Sequence, residues 1–170
     1  VYSLESLDLS ANVVSDAGVL AFCRCYLVAR KRVSAGGDKV ALRLKSLSLN
    51  CNKLTDKAAY CLAQLLYTGN CTLQDLHLDS NLLTVQGVRA LLGAGSGDEG
   101  VGVALRKPCP LQSLSVASNP LDFSILALLA SFISSPPVQL QTHALLPRLD
   151  ISFPAYSGGA AAKGVGGVLE

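Results

Sequence analysis

The sequence predicts an α/β solenoid, built from about five copies of one strand-and-helix unit. Two observations predict it. The phrase L-x-x-L-x-L-x-x-N-x-L begins at Leu44 and begins again 29 residues later, at Leu73. Between these points, after Asn52, the apolar residues change to helical spacing at Ala58 and Leu62. A strand followed by a helix, repeated along the chain, therefore accounts for most of the 170 residues.

Five strand phrases share this internal spacing. They lie near residues 4–14, 44–54, 73–83, 111–121 and 146–153. Successive side chains of a strand point to opposite faces, so the second and third apolar residues of each phrase point into the core together. The fifth phrase has Pro154 where the others have asparagine. We expect the solenoid to occupy residues 1–153, and the Gly- and Ala-rich segment 154–170 to be a decayed repeat or a terminal tail.

Four of the phrases place an asparagine at the point where the chain turns away from the strand. Its short amide can satisfy backbone N–H and C=O groups that the turn leaves without partners. Stacking the repeats brings these amides into a ladder. The predicted ladder consists of Asn12, Asn52, Asn81 and Asn119.

Residues that can cap a helix follow each turn. They are Ser15-Asp16, Thr55-Asp56, Thr84 and Asp122. The first unit is 40 residues long, and no helix breaker lies between Phe22 and Gly36-Gly37, which predicts a longer first helix. Its end is basic, with Arg24, Arg30, Lys31 and Arg32. One interpretation is structural, because cations suit the carboxyl end of a helix dipole. The alternative interpretation is a docking site for an acidic protein surface.

The later units carry extra residues between the helix and the next strand. The segment 93–110 contains many glycines and predicts a mobile loop, whereas 134–145 contains Pro136-Pro137 and predicts an extended connector.

Composition argues against several functional classes. The net charge is +2, and aromatic residues make up 5% of the chain with no Trp, so neither electrostatics nor stacking favours nucleic acid. No run approaches the roughly 18 to 20 apolar residues that a membrane helix needs, so we expect no membrane insertion. The six cysteines show no pairing pattern. They predict free thiols in a reducing, intracellular compartment.

Motifs for catalysis or cofactor binding find no support. Residues 95–100 match G-x-G-x-x-G, but they follow a predicted helix, and Asp98 and Glu99 would repel phosphate. Asp75, His77 and Asp79 place three potential metal ligands on one strand, yet ligands on one flat strand diverge. We therefore predict a non-catalytic protein with no cofactor and no metal site. These three residues are partner-binding candidates on the exposed face of the strands.

The second unit continues as L-T-D-x-A-x-x-x-L-A-x-x-L from Leu54 to Leu66, and it resembles the ribonuclease-inhibitor type of leucine-rich repeat. The resemblance covers about Leu4 to Ile151. It implies a curved right-handed solenoid with parallel strands on the concave side and helices on the convex side. Proteins with this type of repeat are typically intracellular, and include ribonuclease inhibitor, the Ran GTPase-activating protein, innate immune receptors and axonemal regulatory subunits.

The function that the resemblance implies is protein interaction. We expect a cytoplasmic scaffold or recognition module within a larger protein or assembly, for which the family includes cytoskeletal and ciliary examples. The alternative is a regulator of GTP hydrolysis that resembles the Ran activator. An immune-type ligand sensor is a third hypothesis, and it would require an attached nucleotide-binding domain.

Overall fold

Strands and helices alternate along the chain. The computed structural model describes residues 4–34, 43–67, 71–93, 111–134 and 148–151. Its elements are β1 (Ser6–Asp8), α1 (Asp16–Ser34), β2 (Ser46–Ser48), α2 (Asp56–Tyr67), β3 (Asp75–His77), α3 (Val85–Leu91), β4 (Ser113–Ser115), α4 (Ser124–Ser134) and β5 (Arg148–Asp150). The strands form one parallel sheet in sequence order, from β1 to β5. The predicted α/β solenoid of leucine-rich repeats is confirmed.

The core lies between the sheet and the helices. The strands pair in register, so that their central leucines form one row: Leu7, Leu47, Leu76, Leu114 and Leu149. Leu47, Leu76 and Leu114 are at most 1% exposed, whereas their strand neighbours Ser46 and Ser48 are only half-buried. This alternation is the period of a strand with one buried face. Neighbouring helices pack against one another from α1 to α4 and close the other side of the core.

Helix α1 is the longest described helix, with 19 residues against 12 in α2, as the length of the first unit predicts. None of the helices in the described ranges is both long enough and apolar enough to cross a membrane. The predicted connectors 93–110 and 134–145 lie outside the described residues, apart from Gly93 and Ser134. The tail 154–170 lies outside them entirely.

The asparagine ladder joins neighbouring repeats. Asn81 donates from Nδ2 to the carbonyl of Leu78 in its own repeat and to that of Leu49 in the preceding repeat, both at 3.0 Å. Its Oδ1 accepts the N–H of Leu54, also in the preceding repeat, at 3.1 Å. The amide therefore closes its own turn and fastens that turn to the repeat before it.

Three of the four predicted rungs have this geometry. Asn52 and Asn119 repeat the bonds of Asn81, and all three side chains are buried. Asn12 differs, because it is exposed and, among the described residues, its amide bonds only to the carbonyl of Ser10. Each buried asparagine bonds to an N–H and a carbonyl of the preceding repeat, and Asn12 has no such partners among the described residues.

The residue before each ladder asparagine has a left-handed backbone. These residues are Ala11, Cys51, Ser80 and Ser118, with φ between 53° and 55°. Residues other than glycine adopt this conformation at a cost, and β-branched or bulky residues do so least readily. All four are small and unbranched. The left-handed backbone of the turn therefore limits which residue types can occupy these four positions. The sequence alone did not reveal this limit, because the positions contain Ala, Cys and Ser.

A second set of bonds links the helix starts. The carboxylate of Asp56 accepts the N–H of Thr84 at 2.8 Å and its hydroxyl at 2.6 Å, while Thr84 Oγ1 caps α3 by accepting the N–H of Gln86. Asp16 accepts the same two groups of Thr55 at 2.9 and 2.7 Å.

Of the predicted capping pairs, Ser15 and Thr55 each accept a backbone N–H of their own helix, from Gly18 and Lys57. Asp16 and Asp56 do not cap their own helices, because their carboxylates bond to the next repeat. We call this arrangement the Asp–Thr clamp.

Candidate functional site

Two surfaces contain the partner-binding candidates. The first, the concave face, is formed by the strand side chains that point away from the helices. It includes Asp75, His77 and Asp79, which the structure places in succession on and just after β3. The second, the basic end of α1, contains Arg24 and residues 30–32. The candidates therefore form two separate groups, one on the sheet and one on a helix.

On the concave face, small hydroxyl residues surround the β3 candidates. His77 pairs with Ser48 on one side and Ser115 on the other, while Asp75 pairs with Ser46 and Ser113. Asp75 and His77 are both half-buried, and no described residue forms a hydrogen bond with either side chain. Because their neighbours are short, these two side chains are the largest in their rows between β2 and β4.

Asp79 has a structural role as well. Its Oδ1 accepts the N–H of Ala117 at 2.8 Å and the hydroxyl of Ser115, both in the next repeat. Its own N–H donates to Oδ1 of Asn50 in the preceding repeat at 2.8 Å. Asn50 and Asp79 occupy equivalent positions, so a side chain of one repeat satisfies the backbone of the next. A partner that contacts Asp79 therefore meets a side chain already held in place.

The row of concave-face residues that contains His77 is acidic at both ends. Asp8 lies in the row of His77, two strands away, and Asp150 lies at the other end of that row. The hydroxyl and N–H of Ser10 lower the pKa of the Asp8 carboxyl, and the hydroxyl of Ser48 lowers it further. Asp8 is therefore ionised at neutral pH, and the row carries a carboxylate at each end.

A metal site finds no support on this surface. In the part of the chain that the structure describes, no group of three or more His, Cys, Asp or Glu side chains is placed to hold an ion. Asp75, His77 and Asp79 share one face but do not converge, which is the geometry expected of alternate residues on a flat strand.

The basic end extends beyond the neighbouring helix. Arg24 is exposed on α1, and residues 30–32 lie in its last two turns. The side chains of Arg30, Lys31 and Arg32 lie outside the described part of the structure. Helix α1 has seven residues more than α2 (19 against 12), which corresponds to about 10 Å at 1.5 Å per residue. Residues 30–32 therefore lie beyond the part of α1 that corresponds to the described length of α2, whereas Arg24 lies within it.

The cysteines allow a test of the core. Cys23, Cys25, Cys51 and Cys61 are free thiols, and Cys109 lies outside the described residues. Burial raises the pKa of Cys23 to about 12, and the nearby Cys61 adds to the shift. We expect maleimide at pH 8 to label the exposed Cys25 and Cys51 in the native protein, while Cys23 reacts only after unfolding. Mass spectrometry of digests measures this, and equal labelling of Cys23 and Cys51 would contradict the packing of α1.

The residues that sequence reasoning missed are those that join repeats. They are Asp16 and Asp56 of the clamp, and Asn50 with the structural role of Asp79. A signal for the clamp was present, because an aspartate follows the capping residue at the same position in the first two repeats. Its bonding partner is 28 or 39 residues away, however, so the spacing alone does not identify it.

Comparison with known proteins agrees with this architecture. The family described as Leucine Rich repeat matches residues 3–23, 44–63 and 69–92. The chain is also similar to a protein named Ribonuclease inhibitor from Mus musculus, with 28% identity over 156 residues. This similarity covers 82% of the chain and 32% of the relative, so the chain spans about a third of the length of the curated relative it matches.

Proposed function

Because the chain is a leucine-rich repeat protein of the ribonuclease-inhibitor type, we propose that it is a non-catalytic scaffold or recognition module for other proteins. The observation that carries the proposal is the way its repeats are fastened. Asparagine, Asp–Thr and Asn50–Asp79 bonds hold the first four repeats in register at the edge where the strands end. A surface held in this way loses little conformational freedom on binding, which favours association.

The basic end of α1 is the surface that we favour for partner binding. The concave face is poor in the Trp, Tyr and Arg side chains that usually dominate binding energy: its described strand positions are mainly Ser and Asp, with one arginine, Arg148 of β5. In contrast, the basic end contains Arg24, Arg30, Lys31 and Arg32. We infer that it binds an acidic protein surface.

A comparison of two variants tests the choice of surface. We expect a triple variant to bind an acidic partner more weakly; it combines Arg30→Ser, Lys31→Ser and Arg32→Ser. Its affinity should also depend less on salt concentration, because fewer charge contacts remain to be screened. The matched concave variant is Asp75→Ser with His77→Ser. It leaves Asp79 in place, since removing that carboxylate would also disturb repeat four.

Pull-down from lysate shows whether each variant still binds the partner. Affinity measurements over a salt series then show how strongly the binding depends on charge. Both variants should keep the unfolding midpoint of the wild type within error, because solvated charges contribute little to stability. Loss of the partner in the concave variant alone would show that the sheet, and not the basic end, is the binding surface.

The cellular setting is part of the proposal. We place the protein in the cytoplasm, within a larger assembly, and the family resemblance supports a cytoskeletal or ciliary one. The alternative function is stimulation of GTP hydrolysis, and one assay distinguishes it from a scaffold function. Addition of the protein to a panel of small GTPases should leave their rates of GTP turnover unchanged if it acts only as a scaffold.

A further inference from the structure

Opposite charges predominate on the two sides of the protein. The four described helices contain two carboxylates, Asp16 and Asp56, and both are bonded to the threonines of the Asp–Thr clamp. The five strands contain three aspartates against one cation. The helices, in contrast, contain six cations, which are Arg24, Arg30, Lys31, Arg32, Lys57 and Arg89. The helical side is therefore the cationic side of the molecule.

The cations Arg24, Lys57 and Arg89 belong to one surface, which we call the outer helix face. It consists of the residues three, six and ten positions after Val14, Leu54 and Leu83, where each helical segment follows its turn. These positions lie about one helical turn apart on one side of each helix, and none of their side chains is buried. Besides small and apolar residues, they contain Arg24, Lys57, Tyr60, Gln64, Gln86 and Arg89.

No carboxylate among the described residues neutralises this face. The ion pair between Lys45 and Glu5 is the one that the described residues form, so Arg24, Lys57 and Arg89 have none there. Helices α1, α2 and α3 pack side by side. Burial and Asp16 raise the pKa of the Cys61 thiol on α2, and the charge of Arg24 on α1 opposes that rise. The three cations therefore lie on one continuous surface.

Arg89 has a donor without an acceptor. Its side chain is half-buried on α3, and its Nε is buried and forms no hydrogen bond with any described residue. A buried donor in this condition destabilises the conformation that holds it. Turning the guanidinium outward therefore breaks no hydrogen bond of Nε. A carboxylate lying over α3 would supply the missing acceptor, and the planar guanidinium suits a carboxylate that accepts two hydrogen bonds.

Tyr60 provides an apolar contact among these cations. It occupies the same position on α2 as Arg89 on α3, six residues after the equivalent leucine, and it is 42% exposed. Tyrosine and arginine are the residue types that most often dominate the energy of a protein interface, above all near its centre. The outer helix face therefore combines the two features that the concave face lacks.

We propose that an acidic protein segment binds the outer helix face, with carboxylates on Lys57 and Arg89 and an apolar side chain packed on the ring of Tyr60. The inference rests on the proposed function, because this segment belongs to the same partner that binds the basic end of α1. Nucleic acid would require more cations than the three on this face. A bilayer would require a broad apolar surface, whereas Tyr60 is the one large exposed hydrophobic side chain on the face.

Binding of synthetic peptides to the full chain tests the proposal. One probe is a glutamate-rich peptide with a central phenylalanine, and its pair has alanine at that place. Arg89→Gln should weaken binding of both peptides by about 5-fold or more. Tyr60→Ala should weaken binding of the phenylalanine peptide by about 5-fold or more, and that of the alanine peptide by less than about 2-fold.

Two neutral residues of the same face provide matched controls. Gln64→Ala and Gln86→Ala should each change the affinity for either peptide by less than about 2-fold. Lys57→Ser provides a second cation variant in case Arg89→Gln disturbs the packing of α3, because the Lys57 side chain is exposed. It should weaken binding of both peptides by about 3-fold or more. Circular dichroism melts verify that each variant is folded.

The triple variant at residues 30–32 separates this inference from the proposed function. The inference is overturned, and the proposed function stands, if the triple variant loses the peptides while the Lys57, Tyr60 and Arg89 variants bind like the wild type. Both are overturned if the wild type binds neither peptide. Tighter binding of the wild type to duplex DNA or to phosphatidylserine vesicles than to the phenylalanine peptide would overturn the choice of a protein partner.

Discussion

Asn81→Leu is expected to lower the free energy of unfolding by about 1–3 kcal/mol. Leucine has a similar volume, so the change removes hydrogen bonds without opening a large cavity. It leaves the N–H of Leu54 and the carbonyls of Leu49 and Leu78 without the amide that serves them. Asn81 is only 4% exposed, so water does not readily replace these bonds.

The matched control is Asn12→Leu, the same substitution at the same position of the first repeat. Its side chain is exposed and serves one carbonyl among the described residues, so we expect a change of under about 0.5 kcal/mol. Guanidinium titration of the two variants and the wild type measures both effects. Equal midpoints for the two variants would show that bonding between repeats does not stabilise the array.

Gly87→Ala is expected to destabilise the protein by about 1–2 kcal/mol, although alanine is the better helix former. Replacing glycine by alanine stabilises a helix interior by up to about 1 kcal/mol. Overpacking a tight contact destabilises the folded protein by about 1–3 kcal/mol, which outweighs that gain. The added methyl group would clash with Asp56 Oδ1 and crowd Ala59 and Leu83, at 3.1 and 3.2 Å. Because Asp56 Oδ1 accepts the N–H of Thr84, moving it away breaks the Asp–Thr clamp.

Gly18→Ala is the matched control, and we expect the opposite sign. The new methyl group at this position meets Val14 at an ordinary contact distance of 3.4 Å, so the gain in helix propensity, up to about 1 kcal/mol, remains. Thermal unfolding followed by circular dichroism should show a lower midpoint for Gly87→Ala and a higher one for Gly18→Ala. A shift of the same sign in both would mean that α2 and α3 do not approach as closely as the structure shows.

Much of the fold follows from local patterns in the sequence. Apolar residues such as Leu47 and Leu76 alternate, because one side of a strand is buried, and this alternation identified the strands. The asparagine positions could also be predicted, because a turn after every strand needs a side chain that both donates and accepts. The long α1 followed from the length of the first unit and the lack of a helix breaker.

The candidate site was predictable only in outline. Alternation placed Asp75, His77 and Asp79 on one exposed face, and the basic residues of α1 could be read from the sequence. Whether such a side chain is available to a partner depends on its neighbours in the next repeat. Asp79 looked equivalent to Asp75 in the sequence, but the structure commits it to the backbone of Ala117.

Tertiary structure alone decided which groups join one repeat to the next. The Asp–Thr clamp, the Asn50–Asp79 bond and the close approach at Gly87 connect residues about 30 to 40 positions apart in the sequence. The periodicity of a strand or a helix reports which side of that element is buried. It does not report how closely two helices approach, or which carboxylate faces which hydroxyl, because these depend on the register in which whole repeats stack.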